Sequence, residues 1–379
     1  MPKIVLFKLS DVASNAAAGV NVTEAALDSK AIVANLALAA KSVQSVGGMC
    51  VDKSGNIFVS DEEQHVIMKV NESGQINTYA GLAGTAGNNS ALQGVDASDA
   101  RFNQPKGLAC DNTGNLYIAD YGNNQIRVIK NNRVSLLAGN GATTSGLVDA
   151  TSDPMQSRFS HPTSIAVDNS GIVYVADTDN HAVRRIWGGK VLTIAGGGST
   201  ADAENVKASQ YVPFCSSPEG ITVDANGNLF VCDTGNNKIK KITPDGWIYL
   251  HSGSGVAGHS LALTSATPAY ECTYNTLKYI ACDSYGYQYV IDSDTGGYTR
   301  LVKVSPTGVP ANIVDFHEAT TSYAGVEGVA VSPAAKVFVS ITLDDEKESS
   351  SSESSESDGN VSSSSSSEEY SSSSSSSGV

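Results

Sequence analysis

The stretch FNQPKGLACDNTGNLYIADYGNNQIRVIKNNRVSLLAG, residues 102–139, decides the fold because the chain repeats it. It holds four short apolar runs separated by turn-forming Asn, Asp and Gly residues. Its first run occurs in six places, at starts 49 to 59 residues apart. These copies begin at Gly48, Gly107, Ser164, Gly220, Tyr279 and Gly328. An internal repeat of this length predicts an array of similar small units.

Each unit predicts a small sheet of four strands. The first run carries small side chains, as an innermost strand crowded at a central axis must. The third run, such as Ile126–Lys130, alternates apolar and basic residues, which is typical of an outer strand with one solvated face. Asp111–Asn115 is typical of a hairpin turn. The predicted fold is all-β: a six-bladed β-propeller of four-stranded antiparallel blades.

Three segments resemble the NHL-repeat β-propeller family: FNQPKGLA at 102–109, NLYIADYGNNQIR at 115–127 and LAG at 137–139. The resemblance is good over residues 46–253, weak in the fifth unit and confined to the first half of the sixth. It implies the propeller fold and is a weak guide to function. Some NHL propellers are metal-dependent amidating lyases, which implies a coordinated set of histidines around the axis.

Ring closure predicts the use of both ends of the chain in the sixth blade. That blade has two runs of its own, Val326–Pro333 and Lys336–Leu343. We expect Lys3–Leu9 to be its third strand and Ala31–Ala37 its fourth, which would leave no open seam. The alternative for residues 23–42, which are rich in Ala, is a helix. The predicted domains are a closing segment at 1–45, the propeller at 46–343 and a tail at 344–379.

The tail is a low-complexity segment. Serine fills 20 of the 29 positions from Ser349 to Ser377. Such a segment buries too little apolar surface to offset the entropy of ordering. We expect a disordered acidic spacer, with a segment that docks on a partner as the alternative.

Composition excludes two classes of partner. The formal net charge is −15, and residues 344–379 hold nine acidic residues against one lysine. An acidic surface repels phosphates, so we expect no nucleic-acid binding. No apolar stretch approaches the roughly 20 residues of a membrane span, so we expect no membrane insertion. Residues 1–9 have too short an apolar run for a secretory signal.

The six histidines raise the question of a metal site. His65 and His181 occupy the turn position that Asn124 and Asn237 hold in other units, so we interpret them as turn residues. His161 precedes Pro162 and is interpreted as a loop variant. We expect no metal site, no cofactor and no catalytic residues. Aspartates at the ends of the second runs would suit weak cation binding. We favour a turn-building role for them: Asp61, Asp120, Asp177, Asp233 and Asp292.

Most cysteines replace small core residues of the repeat. This holds for Cys50, Cys110, Cys232 and Cys282. Cys215 and Cys272 lie in inserts, and whether they form a disulfide stays open.

Long inserts join the fourth run of one unit to the first run of the next. They are Leu82–Gln104, Asn140–His161, Gly197–Ser217 and Ser254–Thr276. Propeller geometry puts them on one face, and loops on a rigid scaffold often carry binding. The predicted binding residues on this face are Tyr121, Tyr211, Phe214, Tyr270 and Tyr274. Phe102 and Phe159 are predicted to fill blade junctions instead.

These features favour a non-catalytic module for interaction or structure. We expect protein partners in a larger assembly, such as a phage virion or an extracellular surface structure, with a glycan as an alternative ligand. The rival hypothesis is a propeller enzyme, a metal-dependent lyase or a hydrolase, with its site at the mouth of the central channel.

Overall fold

A computed structural model describes residues 3–9, 43–71, 75–89, 94–140, 145–197, 202, 204–207, 215–260, 270–294, 298–315, 323–333 and 336–343. Within these ranges the chain consists of antiparallel strands and short 3-10 helices. The helices are Ala97–Asp99, Tyr121–Asn123, Pro154–Gln156, Thr178–Asn180 and Thr234–Asn236. None of them has the length or the apolar composition to cross a membrane.

The strands form six sheets. The N-terminal strand is β1 (Lys3–Leu9). Blade 1 comprises β2 (Val46–Val51), β3 (Ile57–Asp61), β4 (Val66–Val70) and β5 (Ile76–Ala80). Blade 2 comprises β6 (Val95–Asp96), β7 (Pro105–Cys110), β8 (Leu116–Asp120), β9 (Gln125–Lys130) and β10 (Arg133–Ala138). Blade 3 comprises β11 (Pro162–Val167), β12 (Val173–Asp177), β13 (Ala182–Trp187) and β14 (Lys190–Gly196). Blade 4 comprises β15 (Val206–Lys207), β16 (Pro218–Val223), β17 (Leu229–Asp233), β18 (Lys238–Ile242) and β19 (Trp247–Ser252). Blade 5 comprises β20 (Thr276–Cys282), β21 (Gln288–Ser293), β22 (Thr299–Val304) and β23 (Pro310–Asp315). The remaining strands are β24 (Tyr323–Val331) and β25 (Val337–Leu343).

One strand of each sheet lies at the axis. The strand β2 lies against β7, β7 against β11, β11 against β16, β16 against β20, β20 against β24, and β24 against β2. Buried apolar clusters fill the junctions between successive blades. Phe102 and Phe159 are fully buried there, as predicted, between blades 1 and 2 and between blades 2 and 3.

The terminal sheet joins the first and the last strands that the structure describes. Its strand order is β1-β25-β24, and β1 runs antiparallel to β25 from the pair Lys3–Leu343 to the pair Leu9–Val337. The prediction that Lys3–Leu9 pairs beside the last strand is confirmed. The predicted fourth strand at Ala31–Ala37, its helical alternative over 23–42 and the tail at 344–379 lie outside the described residues.

The propeller prediction is confirmed, but the predicted count of blades is wrong. The described residues form five complete blades of at least four strands and one three-stranded terminal sheet. The sixth unit contributes only β24 and β25, and β1 is the one further strand that the described residues add.

The prediction of one solvated face on the third strands is only partly right. Lys69, Arg185 and Lys241 are half-buried, as a partly solvated face requires. Four further basic residues are buried, because each pairs with the aspartate that ends the second strand of the same blade. The pairs are Arg127–Asp120 (3.2 Å), Arg184–Asp177 (2.6 Å), Lys240–Asp233 (3.1 Å) and Arg300–Asp292 (2.7 Å). In blade 3, Arg184 lies opposite Val175, two residues from Asp177, so both side chains share one face of the sheet.

The described parts of the inserts run to the outer edges of the blades. The short strand β6 pairs with β10, and β15 pairs with β19. In blade 3, Ala150 forms a bridge with Val191 of the outermost strand. The buried Arg184 anchors this insert by donating hydrogen bonds to the carbonyls of Val148 and Arg158, both at 2.8 Å. These inserts therefore cover strand edges that would otherwise be open to unwanted pairing.

Candidate functional site at the channel mouth

A cavity of about 340 Å³ lies on the axis, at the end where the inner strands begin. The second strands end at the same place, since Val46 pairs with Asp61 and Pro105 pairs with Asp120. We call this end the channel mouth. It is defined by Glu62 and by one residue from each inner strand: Gly47, Lys106, Thr163, Glu219, Lys278 and Glu327.

A break in the strand register places these residues at the mouth. In blade 3 the pairing of β11 with β12 shifts between Pro162 and Ser164, on either side of Thr163. The other five inner strands shift at the equivalent position. A bulge of this kind re-aims a side chain that would otherwise follow the alternation of the strand. The geometry therefore presents one position per inner strand to the cavity.

The mouth carries charges of both signs. Going round the axis from blade 2, the lining residues are Lys106, Thr163, Glu219, Lys278 and Glu327. Blade 1 has Gly47 at this position, and Glu62 occupies the freed space: a Cβ on the glycine would lie 2.8 Å from the Glu62 Cγ.

Three of these charges have partners within the protein. The Lys106 ammonium lies 3.7 Å from a Glu62 carboxylate oxygen and 4.2 Å from the centre of the Tyr121 ring. Glu327 accepts a hydrogen bond from the Val46 amide at 3.1 Å, across the seam between the terminal sheet and blade 1. These contacts hold one half of the mouth in a fixed arrangement.

Glu219 and Lys278 differ from the other three. Within the described part of the chain, neither side chain makes a hydrogen bond or an ion pair, and their mutual attraction acts through space. Burial raises the pKa of Glu219, while Lys278 and Lys106 oppose that rise. Burial also raises the pKa of Glu62, with Lys106 again opposing. The mouth thus holds a partly desolvated carboxylate beside an unpaired ammonium group.

The residues that line the mouth were not predicted from the repeat. A signal for them is present in the sequence: the position just before each apolar first run varies in charge, while the run itself stays apolar. The residues at that position are Gly47, Lys106, Thr163, Glu219, Lys278 and Glu327. Five charged or polar residues at an inner position of a buried strand are unusual, since charges at such positions normally need partners.

The five predicted binding aromatics do not form one cluster. Tyr121 adjoins the mouth beneath Lys106, with its ring 4.6 Å from that of His161. Tyr270 is 58% exposed. Tyr274 is fully buried between blades 4 and 5, and its hydroxyl lies 2.8 Å from the Ser252 hydroxyl, so its ring is not available to a partner. Tyr211 and Phe214 lie outside the described residues.

The histidines of the turns connect neighbouring blades. His65, Asn124 and His181 all have left-handed backbone conformations, with φ of 57°, 53° and 50°. His65 Nδ1 accepts a hydrogen bond from the Gln104 amide at 3.1 Å, and His181 Nδ1 accepts one from the Ser217 amide at 2.9 Å. Asn124 Oδ1 accepts the equivalent bond from the His161 amide at 2.8 Å. These residues shape the turns, as interpreted from the sequence, and they also tie each turn to the next blade.

The aspartates at the ends of the second strands are structural. Each accepts a hydrogen bond from a backbone amide 17 residues earlier, and four of the five also hold a buried cation. The amide donors are Gln44, Asn103, Ser160, Ser216 and Asn275. Within the described ranges, no three His, Cys, Asp or Glu side chains come together as a metal-binding group would.

The two insert cysteines lie apart from each other. Cys215 belongs to the cluster between blades 3 and 4, and Cys272 to the cluster between blades 4 and 5. Both thiols are buried, and neither forms a disulfide bond. A different pair is close: the sulfur atoms of Cys50 and Cys110 are 2.7 Å apart.

Comparison with solved structures supports the fold. A gluconolactonase from Xanthomonas campestris superimposes with a TM-score of 0.51 at 13% sequence identity, covering 79% of this chain and 87% of that chain. At this identity the likeness concerns the propeller fold alone.

Comparison with known sequences identifies the family. Human teneurin-1 is 26% identical over 278 residues, which are 62% of this chain and 10% of that protein. Mouse teneurin-3 is 22% identical over 311 residues, 72% of this chain and 11% of that protein. The chain therefore corresponds to about a tenth of the length of these relatives. The profile of the teneurin NHL domain matches residues 3–130 and 34–243, which together exceed half of the chain. The chain belongs to the teneurin NHL-domain family of β-propellers.

Proposed function

We propose that this propeller is a non-catalytic interaction module that binds its partner at the channel mouth. The observation that carries the proposal is the pair Glu219 and Lys278: Glu219 is half-buried, Lys278 is exposed, and neither side chain makes a hydrogen bond or an ion pair in the described residues. A charge that has lost water is stabilised by an opposite charge. A partner with complementary groups would supply it and would gain specificity from the arrangement of positive and negative groups.

We propose further that the module works within a larger assembly, such as a phage virion or a surface structure, with a protein or a glycan as its ligand. The Ser- and Glu-rich segment after the propeller suits a spacer that connects the module to other parts. The teneurin matches support a propeller that serves as one domain among others, since they cover only 10% to 11% of those proteins. In this proposal the three-stranded terminal sheet, which lies between blade 5 and blade 1, closes the ring.

The test is a charge exchange at the mouth in the native source. The double variant Glu219→Lys with Lys278→Glu keeps the net charge but inverts the pattern. We expect the affinity of this variant for the large particle or surface fraction to fall by at least about tenfold, which corresponds to about 1.4 kcal/mol of binding free energy. Gradient sedimentation of a tagged protein measures this loss.

The matched control is Tyr285→Ala. Tyr285 is 76% exposed and lies in the turn at the far end of the inner strand of blade 5. We expect this variant to sediment as the unaltered protein does. Dissociation of the Tyr285 variant together with normal sedimentation of the charge exchange would place the interface on the opposite face and overturn the proposal. Equal melting temperatures of the three proteins verify that folding is intact.

An enzyme at the same mouth is the second candidate. It is favoured by the raised pKa of Glu219 beside the Lys278 ammonium, a combination that suits general acid and base chemistry. Purified protein would be analysed for bound metal and assayed against a panel of lactones and esters. Turnover that disappears in Glu219→Gln, while sedimentation with the assembly persists, would favour the enzyme over the interaction module.

A further inference from the structure

Two cysteines from neighbouring blades meet side by side near the axis. Cys50 lies on β2 and Cys110 on β7, separated by 60 residues in sequence, and their sulfur atoms are 2.7 Å apart. A disulfide bond is about 2.05 Å long and requires Cα atoms no more than about 7 Å apart. Sulfur atoms already at 2.7 Å can reach bonding distance by a small side-chain adjustment.

The contact crosses between sheets rather than running within one. In its own sheet Cys50 pairs with Phe58, and Cys110 pairs with Leu116. Both cysteines are half-buried and pack in the cluster at the junction of blades 1 and 2. A bond between them would therefore connect two separately folded sheets.

The remaining cysteines are placed differently. Cys215, Cys232 and Cys272 are buried, and Cys282 is the only other half-buried thiol among the six. The Cys282 sulfur contacts the Asp283 carbonyl at 3.4 Å and the Gln288 side chain at 4.0 Å. Of the six thiols, Cys50 and Cys110 thus combine partial exposure with contact to a second thiol.

We propose that Cys50 and Cys110 are a redox site that forms a disulfide cross-link between blades 1 and 2. The oxidant is a small-molecule disulfide such as oxidised glutathione. One thiolate attacks it, giving a mixed disulfide and one glutathione thiolate, and the second cysteine thiolate then displaces the other glutathione. The protein loses two protons and two electrons, and one glutathione disulfide becomes two thiols.

The surroundings make the reaction slow but selective. Burial raises the pKa of the Cys50 thiol, and the hydrogen bond with Cys110 adds to the rise. The thiolate is the reactive form, so the rate increases as the pH rises toward that pKa. The bond would close the chain between Cys50 and Cys110, a segment that contains the second, third and fourth strands of blade 1. Blade 1 also lies beside the terminal sheet.

The experiment counts thiols in the full chain after incubation in oxidised or reduced glutathione. The protein is quenched with acid, denatured and alkylated, and its intact mass is measured. We expect six alkylated cysteines after reduction and four after oxidation, from the six thiols of the chain. Peptide mapping without reductant should join the peptides that contain Cys50 and Cys110. The melting temperature should be higher in the oxidised form.

Three variants make the test specific. Cys50→Ala and Cys110→Ala should each keep five alkylated cysteines in both buffers and show no redox-dependent melting shift, whereas Cys282→Ala should still lose two. Six free thiols in the unaltered protein after prolonged oxidation, or a mapped bond between other cysteines, would overturn the proposal. If an alanine variant does not fold, the peptide map of the unaltered protein decides alone.

Discussion

At the residue scale, the buried cation in each of blades 2 to 5 connects a second strand, a third strand and an insert. Arg184 is fully buried, pairs with Asp177 and donates to carbonyls of the preceding insert. Replacing it by methionine removes the cation and leaves the carboxylate buried. We expect Arg184→Met to lower the free energy of unfolding by about 3–5 kcal/mol, as is typical when one partner of a buried pair is removed. Chemical denaturation measures the loss.

The chain offers its own controls for this prediction. Arg185, the next residue, is half-exposed, and Arg185→Met should cost less than about 1 kcal/mol. Blade 1 has Met68 at the register position of Arg184, and burial there raises the pKa of Asp61. Equal losses for Arg184→Met and Arg185→Met would show that the pair does not stabilise the blade.

The turn histidines give a second prediction at this scale. His65 and His181 need an acceptor atom and tolerance of positive φ, and asparagine provides both, as the native Asn124 does. We expect His65→Asn with His181→Asn to change the free energy of unfolding by less than about 1 kcal/mol. The matched double alanine variant loses both acceptors and should cost about 1–3 kcal/mol per site. Similar stability of the two double variants would contradict a role for the hydrogen bonds between blades.

At the element scale, the junction of blades 4 and 5 contains a group that titrates. His251 of β19 is buried against the Phe230 ring, its Nε2 is 2.7 Å from the Gln288 Oε1, and burial lowers its pKa to about 4. The unfolded chain protonates this residue near pH 6.5, so the unfolded state binds more protons between these values. The stability that His251 contributes is present above pH 6.5 and is lost as the pH falls to about 4.

We expect this group to remove up to about 3 kcal/mol from the free energy of unfolding over that interval. The variant His251→Gln lacks the titrating group, so its stability should fall less steeply between pH 6.5 and 4 than that of the unaltered protein. Denaturant curves at a series of pH values measure both slopes. Parallel slopes would mean that His251 does not couple folding to pH.

The closing strand β1 gives the next prediction at this scale. Lys3–Leu9 covers the edge of β25 over seven residue pairs. Deleting residues 1–9 exposes that edge, and open edges pair with other chains. We expect aggregation or loss of a single cooperative unfolding transition, measured by light scattering and calorimetry. An unchanged melting curve for the truncated protein would show that β1 does not close the ring in solution.

At the scale of the whole molecule, the last strand that the structure describes is β25, which ends at Leu343. The propeller forms one compact unit that ends at Asp345. We expect a protein that stops at residue 345 to have the same free energy of unfolding as the full chain, within about 0.5 kcal/mol. A protein that stops at residue 335 lacks β25 and should not fold. A lower free energy of unfolding after removal of residues 346–379 would contradict this prediction.

The repeat made the fold predictable, because each copy encodes the same four strands and the alternation of apolar residues sets their register. The contacts between strands and between copies could not be predicted from the repeat. The pair Arg184–Asp177 joins residues seven apart across a hairpin, and only the register shows that they meet. Cys50 and Cys110 occupy repeat positions that differ by one residue, so an alignment of the copies does not pair them. Their sulfur atoms nevertheless meet where blades 1 and 2 pack together. Tyr274 lies in an insert without counterparts, and its burial had no signal.

The bulge in every inner strand has a consequence for how such proteins diversify. In each inner strand the residue at the bulge lies outside the apolar junctions between blades, while its neighbours in the strand pack in those junctions. Substitutions at this position can therefore change the chemistry of the mouth one blade at a time while the fold is kept. The six residues there differ in charge and size: Gly47, Lys106, Thr163, Glu219, Lys278 and Glu327. Five of these positions carry side chains whose exchange would change the charge or shape of the mouth, whereas a Cβ at Gly47 would lie 2.6 Å from the Pro105 carbonyl oxygen, so that position favours glycine.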